Sequence, residues 1–168
     1  MMLIGGEGLR IIAISDTHIQ SLNDLEQKVI DKFTKADLIL HAGDYTGIQF
    51  VRELKELTRF IGVYGNMDPP SVRAELKPIE IVEAEGFRIG VIHPSEGGSP
   101  FGLIERIKKR FRDVNLVVYG HTHQAKKDEV EGVIYVNPGS LTGAFPALRK
   151  TCAEITLGEK VSVEIISL

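Results

Sequence analysis

The 168-residue chain has no tryptophan, one cysteine and only 7% aromatic residues. A single cysteine excludes an intramolecular disulfide, and Cys152, in an alternating segment, reads as a small buried hydrophobe rather than a nucleophile. That usage suits a reducing cytoplasm. No stretch approaches the roughly 20 apolar residues of a membrane-spanning helix, and residues 1–8 lack the basic start and apolar run of a signal peptide, reading instead as a flexible lead-in. Charge of one sign is also scarce: 20 Lys and Arg against 23 Asp and Glu leave −3 at neutral pH. So small an excess does not indicate bulk electrostatic binding of nucleic acid. No repeat, low-complexity tract or Ser/Gly linker divides the chain, so residues 1–168 read as one domain. A domain of this size buries roughly 70% of the surface its unfolded chain exposes, so a metal would be functional rather than structural.

What is present is an alternation of short apolar runs with amphipathic segments, the pattern of strand and crossover-helix units around a largely parallel sheet. Leu9 to Ser15, Leu38 to His41 and Phe60 to Tyr64 read as strands. Between them Leu22, Leu25, Val29 and Phe33 share one helical face, with Asn23 or Asp24 as cap, and Phe50, Val51, Leu54 and Leu57 share another. After Pro69-Pro70 the rhythm changes. Ile79 to Ala84 and Phe87 to Ile92 flank Glu85-Gly86 as a hairpin, and two more hairpins turn near Glu131-Gly132 and Gly158-Glu159. A helix from about Pro100 to Arg112 precedes the strand Asn115 to Tyr119. The expected architecture is α/β, two mixed sheets packed together with helices outside.

Polar residues fall where these strands end, and in open α/β sheets ligands bind beyond the carboxyl ends of strands. Asp16 and His18 follow the first strand, two residues apart, and point the same way if strand geometry continues. Asp44 follows the second, after Gly43, with two oxygens able to bridge ions. Asn66 follows the third, His93 follows Phe87 to Ile92, and His121 and His123 repeat the two-residue interval after Leu116 to Tyr119. Each fragment alone is commonplace in turns. Together the seven donors suffice for two ions sharing one carboxylate. Two divalent cations balanced by two carboxylates leave a cationic centre suited to a phosphodiester monoanion, and paired metals can clamp attacking and leaving oxygens. Mixed N and O donors suit Mn, Fe, Co, Ni or Zn better than Ca or an all-oxygen Mg site.

The ordered set Asp16-x-His18, Gly43-Asp44, Gly65-Asn66, His93 and Gly120-His121-x-His123 resembles the calcineurin-like metallophosphoesterase superfamily over nearly the whole chain. Ser15-Asp16-Thr17-His18, Gly65-Asn66-Met67-Asp68 and Asn137-Pro138-Gly139-Ser140 are similar to its small archaeal and bacterial phosphodiesterase branch. The resemblance implies a four-layer αββα sandwich. It implies that Asp16, His18, Asp44 and His123 hold one metal and Asp44, Asn66, His93 and His121 the other, manganese first among the candidates. It also implies in-line attack on phosphorus by metal-activated water, with Asn66 contacting a phosphate oxygen. Two positions depart from the family pattern. Many members carry a histidine after Gly-Asn that protonates the leaving oxygen; here the residue is Met67, whose thioether cannot. Asp68 is then the candidate acid, with a turn carboxylate as its plain alternative. Pro94 stands where relatives commonly have glycine beside the ligand histidine.

His41 reads as a residue that orients a carboxylate or the backbone, and Asn137 to Ser140 as a structural loop near the site. Lys108, Lys109, Arg110 and Arg112 read as the solvated face of a helix buried through Leu103, Ile104, Ile107 and Phe111. The loop from His93 to Pro100 borders the proposed centre. The function this favours is a cytoplasmic, dinuclear-metal phosphodiesterase acting on a small nucleotide or similar phosphodiester, without a membrane role. The alternatives are a nuclease, which in this superfamily carries much more chain for DNA, and a noncatalytic module like the retromer scaffold subunit, which lacks several of these histidines.

Overall fold

The computed structural model describes residues 8–94 and 101–168. Most of the proposed lead-in and most of the loop after His93 lie outside the described residues. Ten strands form two five-stranded sheets. The first runs in the order β10 (Val161–Ser167), β9 (Thr151–Leu157), β1 (Leu9–Ile14), β2 (Leu38–His41), β3 (Phe60–Gly62). The second runs β4 (Ile79–Ala84), β5 (Phe87–Ile92), β6 (Leu116–Tyr119), β8 (Val133–Asn137), β7 (Lys126–Val130). Both sheets are mixed: β1, β2 and β3 are mutually parallel, as are β5, β6 and β8, and the outer strands pair antiparallel.

Period-two alternation builds the layers, because successive strand residues face opposite sides of a sheet. Ile11, Ala13, Leu38 and Leu40 meet Ile89, Val91, Leu116 and Val118 in the core between the sheets. The intervening Ile12, Ile14 and Ile39 face α1 (Gln27–Thr34) and α2 (Ile48–Leu57) through Val29, Phe33, Phe50 and Leu54. On the far side Val117 and Tyr119 pack under α4 (Leu103–Lys108) through Leu103 and Ile107, with Phe111 beyond the helix end. The result is the αββα layering. Cys152 is buried on β9 in the outer core, and burial pushes its thiol up to about 11. Among the described residues no helix is long and apolar enough to cross a membrane.

Several boundaries differ from the sequence reading. The first helical segment splits: a 3-10 turn, Leu22–Asp24, is capped by Ser21 in a reciprocal arrangement with Asp24, and α1 begins only at Gln27. Asn23 and Asp24 lie inside that turn, so neither caps α1. α4 is shorter than expected at both ends, and α3 (Pro70–Glu75), opened by Pro70 in the first turn, was hidden behind the proline pair.

Candidate metal centre

The parallel strands of both sheets end at one edge of the sandwich, and the loops leaving five of them carry the candidate donors. Asp16 and His18 leave β1, Asp44 leaves β2, Asn66 leaves β3, His93 leaves β5, and His121 and His123 leave β6. The assumption that β1 geometry continues through His18 fails. The strand stops at Ile14, and Asp16 and His18 have positive φ of 49° and 48°. Asp44, His121 and His123 are left-handed too, at 62°, 86° and 60°. Non-glycine residues rarely adopt this conformation, and its concentration here marks backbone held by its surroundings. Inter-loop hydrogen bonds supply that hold: Asp16 N–H donates to Gly43 O at 3.0 Å and His18 N–H to Asp44 O at 3.1 Å.

Asp16, His18, Asp44 and His123 each bring one donor atom into a group lying within 4.8 Å of one another, a set that can hold one divalent ion. Two of these atoms, Asp16 Oδ1 and His18 Nε2, are buried without a hydrogen-bond partner. Buried polar atoms are ordinarily satisfied, so this pair fits a cation. Asp16 Oδ2 is committed elsewhere, accepting from Ser15 Oγ at 2.8 Å and from the His121 amide at 3.1 Å. Beside this group, His93 Nε2 lies 3.0 Å from Asn66 Oδ1 and 3.3 Å from Asp44 Oδ2, and His121 Nδ1 lies 3.3 Å from Asn66 Oδ1. Asp44 Oδ2 also faces His18 Nε2 at 3.8 Å, so one oxygen stands between the two groups. All seven candidate donors therefore converge.

Carbonyls behind the rings orient two of the histidines. His93 Nδ1 lies 2.7 Å from Ala42 O and His123 Nδ1 3.0 Å from Ala144 O. A carbonyl only accepts, so each Nδ1 carries a proton and each Nε2 is directed into the site, the arrangement that orients metal-ligating imidazoles. His41 is fixed in the opposite tautomer. Gly43 N–H donates to its Nδ1 at 3.0 Å, so its Nε2–H donates to Thr17 Oγ1, also at 3.0 Å. His41 stacks on Tyr45, and burial, with the His93 charge, keeps its pKa well below the ordinary range. It ties the Asp16 loop to the Asp44 loop as a neutral brace.

The carboxylates dominate the local electrostatics. The Asp16 carboxylate, whose Oδ1 lies 3.2 Å from His123 Nε2, lifts His123 to about 9. Burial opposes the charged ring of His93, but Asp44 and Asp16 outweigh it and raise its pKa. Burial also raises Asp44, and its bonds to His93 and Met67 N–H reverse that and lower it. His121 is lowered by burial and by the His93 charge.

Asp68 occupies a different position from the donors. Its Oδ1 accepts the amides of Tyr45 at 2.7 Å and Thr46 at 2.8 Å; its Oδ2 accepts those of Gly65 at 2.8 Å and Asp44 at 2.9 Å. Burial, helped by the Asp44 charge, raises its pKa against the pull of these amides. The carboxylate faces the backbone of the Asp44 and Asn66 loops. Met67 is exposed at the mouth.

Several contributors carried no signal in the sequence. Arg73 donates to Asp68 O at 2.9 Å and Asn66 O at 3.0 Å while lying over the Tyr64 ring, yet nothing marks it out from other helix arginines. The Asn137 to Ser140 loop is structural as read. Asn137 Nδ2 donates to Thr122 Oγ1 at 2.9 Å, and Ser140 Oγ donates to Asp16 O at 2.7 Å. Glycine permits the closest approaches. A Cβ on Gly43, which has φ of 100°, would lie 2.7 Å from His93 Nδ1 and 2.9 Å from Gly65 N. Gly43→Ala is therefore expected to destabilise the protein by about 2–3 kcal/mol and to lower its metal content, measurable by urea unfolding and elemental analysis.

Comparison with known proteins accords with this geometry. The chain is 35% identical over 172 residues, 98% of its length and 92% of the relative's, to a probable metallophosphoesterase of Methanothermobacter thermautotrophicus. It is 29% identical over 147 residues, 80% of its length and 86% of the relative's, to a phosphodiesterase of Methanocaldococcus jannaschii. A solution structure of a Thermotoga maritima protein matches with a TM-score of 0.74 at 31% identity, covering 95% of this chain and 99% of that one. Vps29 of Chaetomium thermophilum shares the fold, with a TM-score of 0.75 at 21% identity over 95% of this chain and 97% of that one. The sequence model of the calcineurin-like phosphoesterase superfamily domain matches residues 9–160, a span from β1 to the last hairpin that takes in every donor loop. The chain belongs to the calcineurin-like phosphoesterase superfamily.

Proposed function

We propose that the protein is a dinuclear-metal-dependent phosphodiesterase, a phosphoric diester hydrolase acting on a small phosphodiester or nucleotide in the cytoplasm. The observation that carries this reading is Asp44 Oδ2, which stands between His18 Nε2 at 3.8 Å and His93 Nε2 at 3.3 Å. On this reading Asp16, His18, Asp44 and His123 hold one ion, Asp44, Asn66, His93 and His121 hold the other, and manganese is the first choice for both. Divalent cations bound there would polarise the phosphoryl group, lower the pKa of water and clamp the attacking and leaving oxygens. The chain's own contribution is orientation: Ala42 O and Ala144 O aim two imidazoles, and Asn66 can turn its amide nitrogen toward a phosphate oxygen.

Asp68 is assigned here to positioning rather than to proton donation, because four backbone amides converge on its two oxygens. Met67 offers no proton either. Esters that leave readily without protonation should therefore be the better substrates. With methyl aryl phosphates, kcat/KM is expected to fall steeply as the pKa of the departing phenol rises; equal turnover of aryl and alkyl esters would refute this.

The central test loads the metal-free protein with Mn2+ and follows hydrolysis of bis(p-nitrophenyl) phosphate while counting bound metal. Turnover that rises to saturation at two ions per chain supports the reading. Full metal occupancy with no turnover of any phosphodiester favours the scaffold alternative, which the Vps29 likeness keeps in view. Chelator-sensitive cleavage of single-stranded DNA would favour the nuclease.

A further inference from the structure

We infer that the groove beside His121 seats the planar base of a nucleoside esterified to the phosphate, an inference that rests on the phosphodiesterase reading and names its substrate class. The groove encloses about 660 Å³, the size of a small-ligand site. It opens on the second group of donors, since its lining includes His121 and Pro94, the residue after His93. A phosphate held at those donors would have one ester substituent lying along it.

The chemistry of the walls selects the substituent. Pro94, Phe101, Ile104 and Tyr119 supply apolar and aromatic surface. Phe101, 86% exposed, lines the groove with an aromatic ring. Its backbone is held from below, because Arg106 Nη1 donates to Phe101 O at 3.0 Å. Gln124 and Lys126 line the same groove. The Gln124 amide offers a donor and an acceptor, matching the edge of a base, and Lys126, paired with Asp128 at 3.2 Å, and Glu105 balance the charge along the groove, as an uncharged base requires. An alkyl chain would leave these polar groups unmatched, whereas a nucleoside presents an aromatic face and a polar edge together. Pro94, the departure from the family pattern, becomes a rigid apolar wall at the start of the groove.

The test compares thymidine 5′-(p-nitrophenyl) phosphate with methyl p-nitrophenyl phosphate, which share a leaving group and differ in the retained substituent. Wild-type kcat/KM is expected to favour the nucleoside ester by about tenfold or more, and Phe101→Ala to reduce that ratio at least about fivefold. A ratio near one in the wild type, or a ratio untouched by Phe101→Ala and Gln124→Ala alike, overturns the inference. If neither ester is hydrolysed by the metal-loaded protein, the phosphodiesterase reading fails. The groove is then judged by thymidine 5′-monophosphate titrated into 15N-labelled, metal-free protein. Shifts centred on the Ile104, Tyr119 and Gln124 amides uphold the subsite, and shifts elsewhere or none reject it.

Discussion

Asp44→Asn is expected to lower kcat/KM for bis(p-nitrophenyl) phosphate by about a thousandfold or more, because on the proposed two-ion reading it removes a shared ligand and a charge at once. Asparagine fits the position in every other respect. It tolerates the left-handed conformation that Asp44 adopts at φ of 62° better than most residues. Its oxygen can keep the bond from Met67 N–H, which Asp44 Oδ1 accepts at 2.9 Å, and the Asp44 amide can still donate to Asp68. The amide nitrogen then falls where Oδ2 now stands, turning a donor toward His18 Nε2 and His93 Nε2. Circular dichroism should be close to that of the wild type while elemental analysis shows less than two ions per chain. Retained turnover at full occupancy would remove Asp44 from the bridging role.

The contrast between Asp44 and Asp68 separates what one-dimensional pattern can reveal from what it cannot. Leu38 to His41 is a short apolar run buried throughout, and Ile79 to Ala84 and Phe87 to Ile92 flank the two-residue turn Glu85-Gly86, so all three are strands with the boundaries expected. The convergence of the candidate donors was legible for a related reason: each follows a strand, and a parallel sheet brings such positions to one edge. Their backbone conformations were not. Positive φ at Asp16 and His18 depends on hydrogen bonds to Gly43 and Asp44, partners more than twenty residues away. The carbonyls of Ala42 and Ala144 are equally silent, since a main-chain group has no sequence signature. α4 ends early for another reason. Its apolar period continues through Phe111, but Lys109 already caps the helix and Phe111 packs from the following turn.

Asp68→Asn provides the second large expectation and decides between two roles for one carboxylate. Asp68 accepts Asp44 N–H and Gly65 N–H on one oxygen and Tyr45 N–H and Thr46 N–H on the other. Whichever way an asparagine amide is turned, its NH2 group meets two backbone donors, leaving them buried and unsatisfied. The expected cost is about 3 kcal/mol in the free energy of unfolding of the metal-free protein, read from urea titrations with unchanged slope. Turnover should fall as well, because the loops that carry Asp44 and Asn66 lose their common anchor. The discriminating measurement is the dependence of that loss on the leaving group. A proton donor matters little when p-nitrophenol departs and greatly when a poor leaving group does, so its removal would steepen the plot of log kcat/KM against leaving-group pKa. A positioning carboxylate moves reacting groups out of register for every ester alike, so the plot should drop with its slope unchanged. A steepened slope in a variant of wild-type stability would restore Asp68 to general-acid catalysis.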